Sequence, residues 1–334
     1  MKIDLKDLLE RDDKATNLEH AEQSKDKAGI LRVGNSGILM PDGNFAGSCP
    51  RRAYLRLKEI DIPAPADRAV MFEFGRINEV ILIDKLRRAM GPTFDITGDD
   101  VNTVEWKTST GRAVTGRPDI VVKTKDGKPV LVIEAKMCGS LGTVRDARFG
   151  NSPKLAHVCQ AAHYGWLMDA PIKLIYVQSV DYATQMWPSN VKEYPKPGEP
   201  GSEQIAYTEK EIGAKGKKEI VQMPKKILPG RTVYDVVIDE DGSIKYRLEG
   251  AKGAYTKTCV HIDSIVQFYE HVDAIDKTKS LGSRPISIDI KGNFLNWDNC
   301  NYCSVKPFCD SFETKLERWL QEVKAENDKG LLFS

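Results

Sequence analysis

Between Pro129 and Lys136 the chain reads PVLVIEAK, with apolar residues on both faces of an extended segment. Val130 and Val132 fall on one face, and Leu131, Ile133 and Ala135 on the other. A strand apolar on both faces is a central strand, covered from both sides. Side chains alternate with period two, so Glu134 and Lys136 share the face of Val132. A buried charge without a partner is costly, and the pattern therefore predicts something beside this strand that offsets both. Residues 112–123 are also strand-like, and Asp126-Gly127 between the two runs is a strong hairpin signal.

Other stretches carry helical spacing. In AVMFEFGRINEVILIDKLRRAM, Phe74, Ile77, Ile81, Leu82 and Leu86 are expected to form the apolar face of a helix that Gly91-Pro92 stops. GNFAGSCPRRAYLRLKEI predicts a turn opening a short helix with Pro50 near its start. LAHVCQAAHYGWLMDA reads as a helix, IKLIYVQSV as a buried strand, TVYDVVIDEDGSIKYRLEG as a second hairpin turning at Asp-Gly, and IDSIVQFYEHVDAIDKT as a helix. The order helix, hairpin, helix, strand predicts a mixed α/β core. Residues 188–230, rich in Pro, Gly and Lys, read as an insertion or mobile surface segment. Residues 1 to about 30 read as a polar, weakly helical leader, and DSFETKLERWLQEVKAEN as a charged C-terminal helix. No internal repeat and no GxxxxGK[ST] phosphate loop is present, so no motor domain is expected.

Composition narrows this reading only a little. The 334 residues are 41% hydrophobic, with a net charge of +1, so no global basic field advertises nucleic acid. No apolar run reaches the roughly 20 residues that span a bilayer. The charged N-terminus lacks the apolar segment of a signal peptide. The expectation is a cytoplasmic protein, or one in the host cytoplasm if phage-encoded, without a membrane partner. The seven cysteines, an odd count, argue for a metal site or free thiols over a disulfide framework.

The chemistry concentrates on the first hairpin. Asp119 and Glu134 on adjacent strands make a hard oxygen site for Mg²⁺ or Mn²⁺, which would resolve the charge on the central strand. Lys136 on the same face could orient or help deprotonate a water, or stabilise developing phosphorane charge. Metal-activated water, a Lewis acid on phosphate and a nearby cation are the parts that phosphodiester hydrolysis needs. The plain alternative is a structural Glu–Lys pair at a strand end, since carboxylate and lysine two residues apart are common.

GRPD followed by IEAK resembles the PD-(D/E)xK nuclease motif, as Asp119, Glu134 and Lys136. QAAHY resembles the QxxxY motif of the RecB-type branch, and Gln160 and Tyr164, at i and i+4, share a helix face. FGRINE resembles the first motif of that branch, but with Glu79 where it carries histidine; this is closer to phage lambda-type exonucleases. Asn78 is a weaker candidate for the same role. The resemblance implies a restriction-endonuclease-like mixed sheet flanked by helices. It also implies metal ligation by Glu79, Asp119 and Glu134, with Gln160 and Tyr164 positioning substrate or the attacking water.

CNYCSVKPFC sets Cys300, Cys303 and Cys309 in a C-x2-C-x5-C triplet, which with one distant partner suits a four-thiolate iron–sulfur cluster. Cys49 is the natural fourth ligand. Iron–sulfur nucleases of the RecB type, such as the AddB nuclease domain and CRISPR spacer-acquisition nucleases, are similar in layout. The resemblance thus implies a [4Fe–4S] cluster joining the N- and C-terminal parts; Zn²⁺ at the same thiolates is the alternative. Cys138, Cys159 and Cys259 read as ordinary buried thiols.

The expected organisation is a leader over 1–45, a nuclease domain with its cluster over 46–310, and a C-terminal helix over 311–334. Arg51, Arg52, Arg117, Arg145 and Arg148 are candidate DNA contacts, as are Arg56, Lys154 and Lys215, Lys217 and Lys218, though each run is also what a solvated face looks like. His157 shares the face of Gln160 and Tyr164 and reads as packing, or as a support behind the site, and not as a ligand. The function expected is a metal-dependent exonuclease acting at single- or double-stranded DNA ends in recombination, repair or phage DNA metabolism, alone or with a helicase, annealing or recombination partner. The alternatives are an inactive DNA-end-binding or scaffold protein with a zinc site, and a structure-specific endonuclease.

Overall fold

Short antiparallel connections and one helical crossover build the central sheet. The computed structural model describes residues 29–58, 66–98, 101–139, 141–149, 152–183, 195–199, 202–212, 219–278 and 284–295. Seven strands lie side by side in chain order: β1 (Asp95–Gly98), β2 (Ile120–Lys123), β3 (Pro129–Met137), β4 (Ile172–Gln178), β5 (Gly230–Ile238), β6 (Ser243–Leu248) and β7 (Thr256–His261). Every neighbouring pair is antiparallel except β3 and β4, which run parallel. A parallel pair cannot be closed by a tight turn and needs a crossover. Helix α3 (Leu155–Met168) supplies it, ending at Asp169 in the left-handed conformation.

The other helices are α1 (Pro50–Leu57), α2 (Ala66–Met90) and α4 (Ile262–Thr278). One face of the sheet packs Ile96, Ile120, Val122, Ile133, Ala135, Ile175 and Val177 against Leu82, Ile83, Leu86 and Met90 of α2. The other face, which carries Val132, Leu174, Tyr176, Tyr234 and Tyr246, packs against α3 and α4, and α1 packs on α4 in the same core. β3 is therefore covered on both sides, as its apolar pattern requires. The protein is a mixed α/β fold with a large mixed sheet flanked by helices. Among the described residues no helix is long and apolar enough to cross a membrane.

Both Asp-Gly turns form where expected, with Gly127 and Gly242 at φ +86° and +81°. Three details differ from the sequence reading. The strand expected over 112–123 is broken: Ala113–Gly116 pairs with Val104–Lys107 in an outlying sheet, and β2 starts only at Ile120. Pro118 has no N–H for a ladder and separates the two. The apolar face of α2 is also displaced. Phe74 (52%), Ile77 (53%) and Ile81 (41%) are exposed, whereas Leu82 (6%) is buried; apolar residues occur all round this helix, so spacing alone did not select the buried side. Finally, the core begins before residue 46. Leu31, Val33, Ile38 and Phe45 are buried, with Gly37–Leu39 pairing with Phe45–Gly47.

Within the segment read as an insertion, Ile205–Ile212 and Glu219–Ile227 form an antiparallel pair, joined by Tyr182–Ala183 in a small sheet of their own. Residues 1–28 of the leader, Lys215, Lys217 and Lys218, and the C-terminal helix lie outside the described residues.

The Val104–Lys107/Ala113–Gly116 hairpin leads directly into the GRPD stretch, and α4 fixes its turn. Asp273 accepts hydrogen bonds from Thr108 Oγ1 at 2.7 Å, from Thr110 Oγ1 and from Arg112 Nε. Ser109 N–H donates to Glu270 at 2.8 Å. The Asp273 carboxylate is buried, and removing it leaves the Thr108 hydroxyl and the partly exposed Arg112 without their acceptor. Asp273→Ala should lower the unfolding free energy by about 2 kcal/mol, read by urea denaturation at pH 7; a loss below about 0.5 kcal/mol would mean that the turn is held otherwise.

Candidate active site

β2 and β3 set the two hairpin carboxylates side by side. Ile120 pairs with Ile133, so Asp119 immediately precedes the first residue of β2 as Glu134 follows that residue's partner. Where the ladder stops, Asp119 Oδ2 accepts the backbone N–H of Ala135 at 2.7 Å. Glu134 is fully buried on the face that looks towards α3. Its Oε1 takes a hydrogen bond from Lys136 Nζ two residues along the same face. Its Oε2 is buried without a hydrogen-bond partner. A sealed, orphaned carboxylate oxygen beside a second carboxylate is costly as it stands, and a cation is what such an oxygen accepts.

Helix α3 covers this pair. Tyr164 is 2% exposed, and its hydroxyl accepts the N–H of Arg117 at 3.2 Å. The helix thereby holds the backbone just ahead of Asp119. Gly116 makes this approach possible: a Cβ there would fall 2.5 Å from Tyr164 Cε1 and 2.7 Å from Val33 Cβ. Gln160 hydrogen-bonds Tyr164 one turn earlier. Helix α2 comes in from the other side of the sheet, where Asn78 Nδ2 lies 3.4 Å from both Met137 Sδ and Ser179 Oγ at the ends of β3 and β4. The neighbouring Glu79 is close enough for its charge to act on both Glu134 and Lys136.

Charge follows from this packing. Burial, then the adjacent Asp119, pushes Glu134 up to about 8, against the downward pull of Lys136. Burial alone would lower the Lys136 pKa, but Glu134, Asp119 and Glu79 outweigh it and raise it further. Lys136 is accordingly a permanent cation and not a base. Tyr164 is raised by burial and by Glu134 and stays a neutral hydroxyl. The structure therefore brings Asp119, Glu134, Lys136, Gln160 and Tyr164 together, with Glu79 near enough to act on them through its charge. Asp119, Glu134 and Glu79 suit a hard divalent cation by donor type. Among the described residues no three ligating side chains converge on one point.

The candidate DNA contacts divide. Arg117 is exposed beside the site, and Arg51 and Arg52 are half-buried on α1. Arg148 is 8% exposed; its Nη1 donates to Gln178 Oε1 and to the Leu228 carbonyl, the latter at 2.8 Å. It is an internal clamp between β4 and the start of β5, where a Cβ on Gly230 would meet Nη2 at 2.6 Å. The expectation of a groove cation at Arg148 is corrected accordingly. Arg145 opens the helical turn Arg145–Phe149. Cys49 sits at the N-cap of α1, while Cys300, Cys303 and Cys309 lie outside the described residues. The chain does return towards Cys49: Ile286 N–H donates to the Phe45 carbonyl at 2.7 Å, and Ala46 bridges Ile286. Cys138 and Cys159 are buried and Cys259 is half-buried.

Comparison with family models and with curated proteins gave no match. The reading of the site therefore rests on its own geometry. Sequence reasoning missed Gly116 as the gap that admits Tyr164; its only signal was a glycine inside a strand-like run, which marks close approach.

Glu134 also makes stability pH-dependent. With the folded pKa raised to about 8, the folded state keeps a proton that the unfolded chain releases at ordinary glutamate pH. Metal-free wild type should lose on the order of 1–3 kcal/mol as pH rises from about 5 to 8. Glu134→Gln should flatten that slope. Urea denaturation in a chelator at the two pH values checks it, and parallel curves for the two proteins would contradict a raised Glu134.

Proposed function

We propose that this chain is a metal-dependent deoxyribonuclease, hydrolysing phosphodiester bonds at DNA ends. The observation that carries the reading is the buried Glu134, with one oxygen on Lys136 and the other unpartnered beside Asp119. An inert strand-end ion pair has no need of a second carboxylate or of an orphaned oxygen.

Asp119 and Glu134, with Glu79, would hold Mg²⁺ or Mn²⁺. When bound, the ion supplies a Lewis acid for the phosphate and acidifies a water. Lys136, held protonated, stabilises negative charge on the phosphate as it develops and releases Glu134 to the cation. Tyr164 keeps the Asp119 loop in register, and Gln160 orients Tyr164. Exposed Arg117 and Lys154 at the rim offer phosphate contacts that set position but read no sequence. Cys49, Cys300, Cys303 and Cys309 are proposed to hold a [4Fe–4S] cluster, with zinc as the alternative. Such a cluster staples both ends of the domain and contributes folding free energy. A helicase, annealing or recombination protein would fit as partner, since the sequence carries no motor motif.

Linear DNA should be degraded in Mg²⁺ or Mn²⁺ and spared in chelator. Glu134→Ala and Lys136→Ala should each reduce the rate by roughly 10³-fold or more, while circular dichroism and melting remain those of a folded protein. Both variants cutting at the wild-type rate would sink the site assignment; DNA binding without cutting by wild type would favour an end-binding scaffold. Anaerobically purified protein should absorb broadly near about 400 nm and contain about four irons per chain; one zinc and no iron would replace the cluster.

A further inference from the structure

His157 lies one turn before Gln160 on α3, above a fully buried tyrosine. Tyr176 stands opposite Lys136 in the parallel β3–β4 register and is 0% exposed. Its hydroxyl accepts the backbone N–H of Lys154 at 3.0 Å and lies 3.0 Å from His157 Nδ1. Proton counting fixes the histidine. The hydroxyl has one hydrogen, and with Lys154 already donating to its oxygen, the acceptor in reach is Nδ1. Were Nδ1 the donor instead, the sealed hydroxyl hydrogen would be stranded, at about 1–3 kcal/mol. This count assigns His157 the Nε2–H tautomer. Burial and the charges of Lys136 and Lys154 keep the ring neutral.

Nε2 has no hydrogen-bond partner among the described residues, and it is not among the sealed polar atoms that lack one. This edge of the half-buried ring is therefore not sealed off, on the helix face that also carries Gln160 and Tyr164. An N–H, unlike a lone pair, suits an anionic oxygen, and a neutral donor leaves the charge balance around Lys136 unchanged.

We propose that His157 is a substrate-positioning residue whose Nε2–H donates to a non-bridging phosphate oxygen of the bound strand, with Tyr176 fixing the tautomer. The proposal rests on the reading of the site as a phosphodiesterase.

Two amide variants separate the ring nitrogens. His157→Asn keeps an acceptor for Tyr176 but loses the outward donor; His157→Gln carries an amide N–H towards the Nε2 position. With a short linear DNA in Mg²⁺ or Mn²⁺, His157→Asn should raise KM about tenfold or more, and kcat should stay within about threefold. His157→Gln should hold KM within about threefold. The reverse order would mean that the ring serves only Tyr176, and would overturn the proposal. Cleavage that Glu134→Ala abolishes but His157→Asn leaves at wild-type KM overturns it alone. No cleavage by wild type, or full cleavage by Glu134→Ala, overturns the phosphodiesterase reading and this proposal together. Should the variants fail to fold, ¹⁵N-histidine spectra of wild type decide: an Nε2–H tautomer whose Nε2 resonance moves on adding a phosphorylated dinucleotide supports it. An Nδ1–H tautomer, or no movement, overturns it.

Discussion

A carboxylate buried in the middle of a sheet is the constraint around which this fold is arranged. Glu134 has no solvent exposure, yet it lies on a strand whose neighbours are aliphatic on both faces. Desolvating a charge there costs several kcal/mol unless partners repay it. Lys136 repays part, through Glu134 Oε1, but leaves Oε2 unpartnered and adds a partly buried cation that itself needs Asp119 and Glu79. Apolar residues of the same size would make a more stable strand. That Glu134 and Lys136 stand there instead is the kind of local cost that functional sites carry.

The loop before β2 shows how the cost is kept from relaxing. Asp119 could swing to solvent if the GRPD backbone were free. Three constraints hold it: the Ala135 N–H on its carboxylate, the Tyr164 hydroxyl on the Arg117 N–H, and the Gly116 gap that lets that ring approach. Further back, the buried Asp273 holds the hairpin turn that feeds the loop. The chain of support runs from α4 through the hairpin to Asp119, by hydrogen bonds that are buried at Thr108–Asp273 and partly buried at Arg112, Arg117 and Ala135.

Most of this was legible in the sequence where the information is local. The Asp-Gly turns, the bounds of β3 and α3, and the sharing of one face by Val132, Glu134 and Lys136 follow from turn chemistry and period two. So does the meeting of Gln160 and Tyr164 on one helix face. What was not legible depends on distant segments. The inward side of α2 was decided by Ile96 and Ile175, which Leu82 and its neighbours meet, and not by its own spacing. Arg148 is charged, and charge predicts exposure, yet Gln178 and Leu228 offered it an interior berth. Pro118 was itself a local sign that the strand-like run over 112–123 breaks, but nothing local says that its neighbours belong to two different sheets.

The strand order explains why the polar groups gather where they do. Were β3 and β4 antiparallel like every other neighbouring pair of the central sheet, a tight turn could join them and no helix would be required over their shared face. Their parallel register obliges the chain to return through a crossover, and α3 passes over β3 in the reverse direction. Its first turn then meets the end of β4, where His157 faces Tyr176, and two turns later Tyr164 meets Arg117 just ahead of β2. One topological exception thus brings hydrogen-bonding side chains of a helix to the end of β3 that carries Glu134 and Lys136. The chemistry proposed for the site uses the register that this crossover enforces.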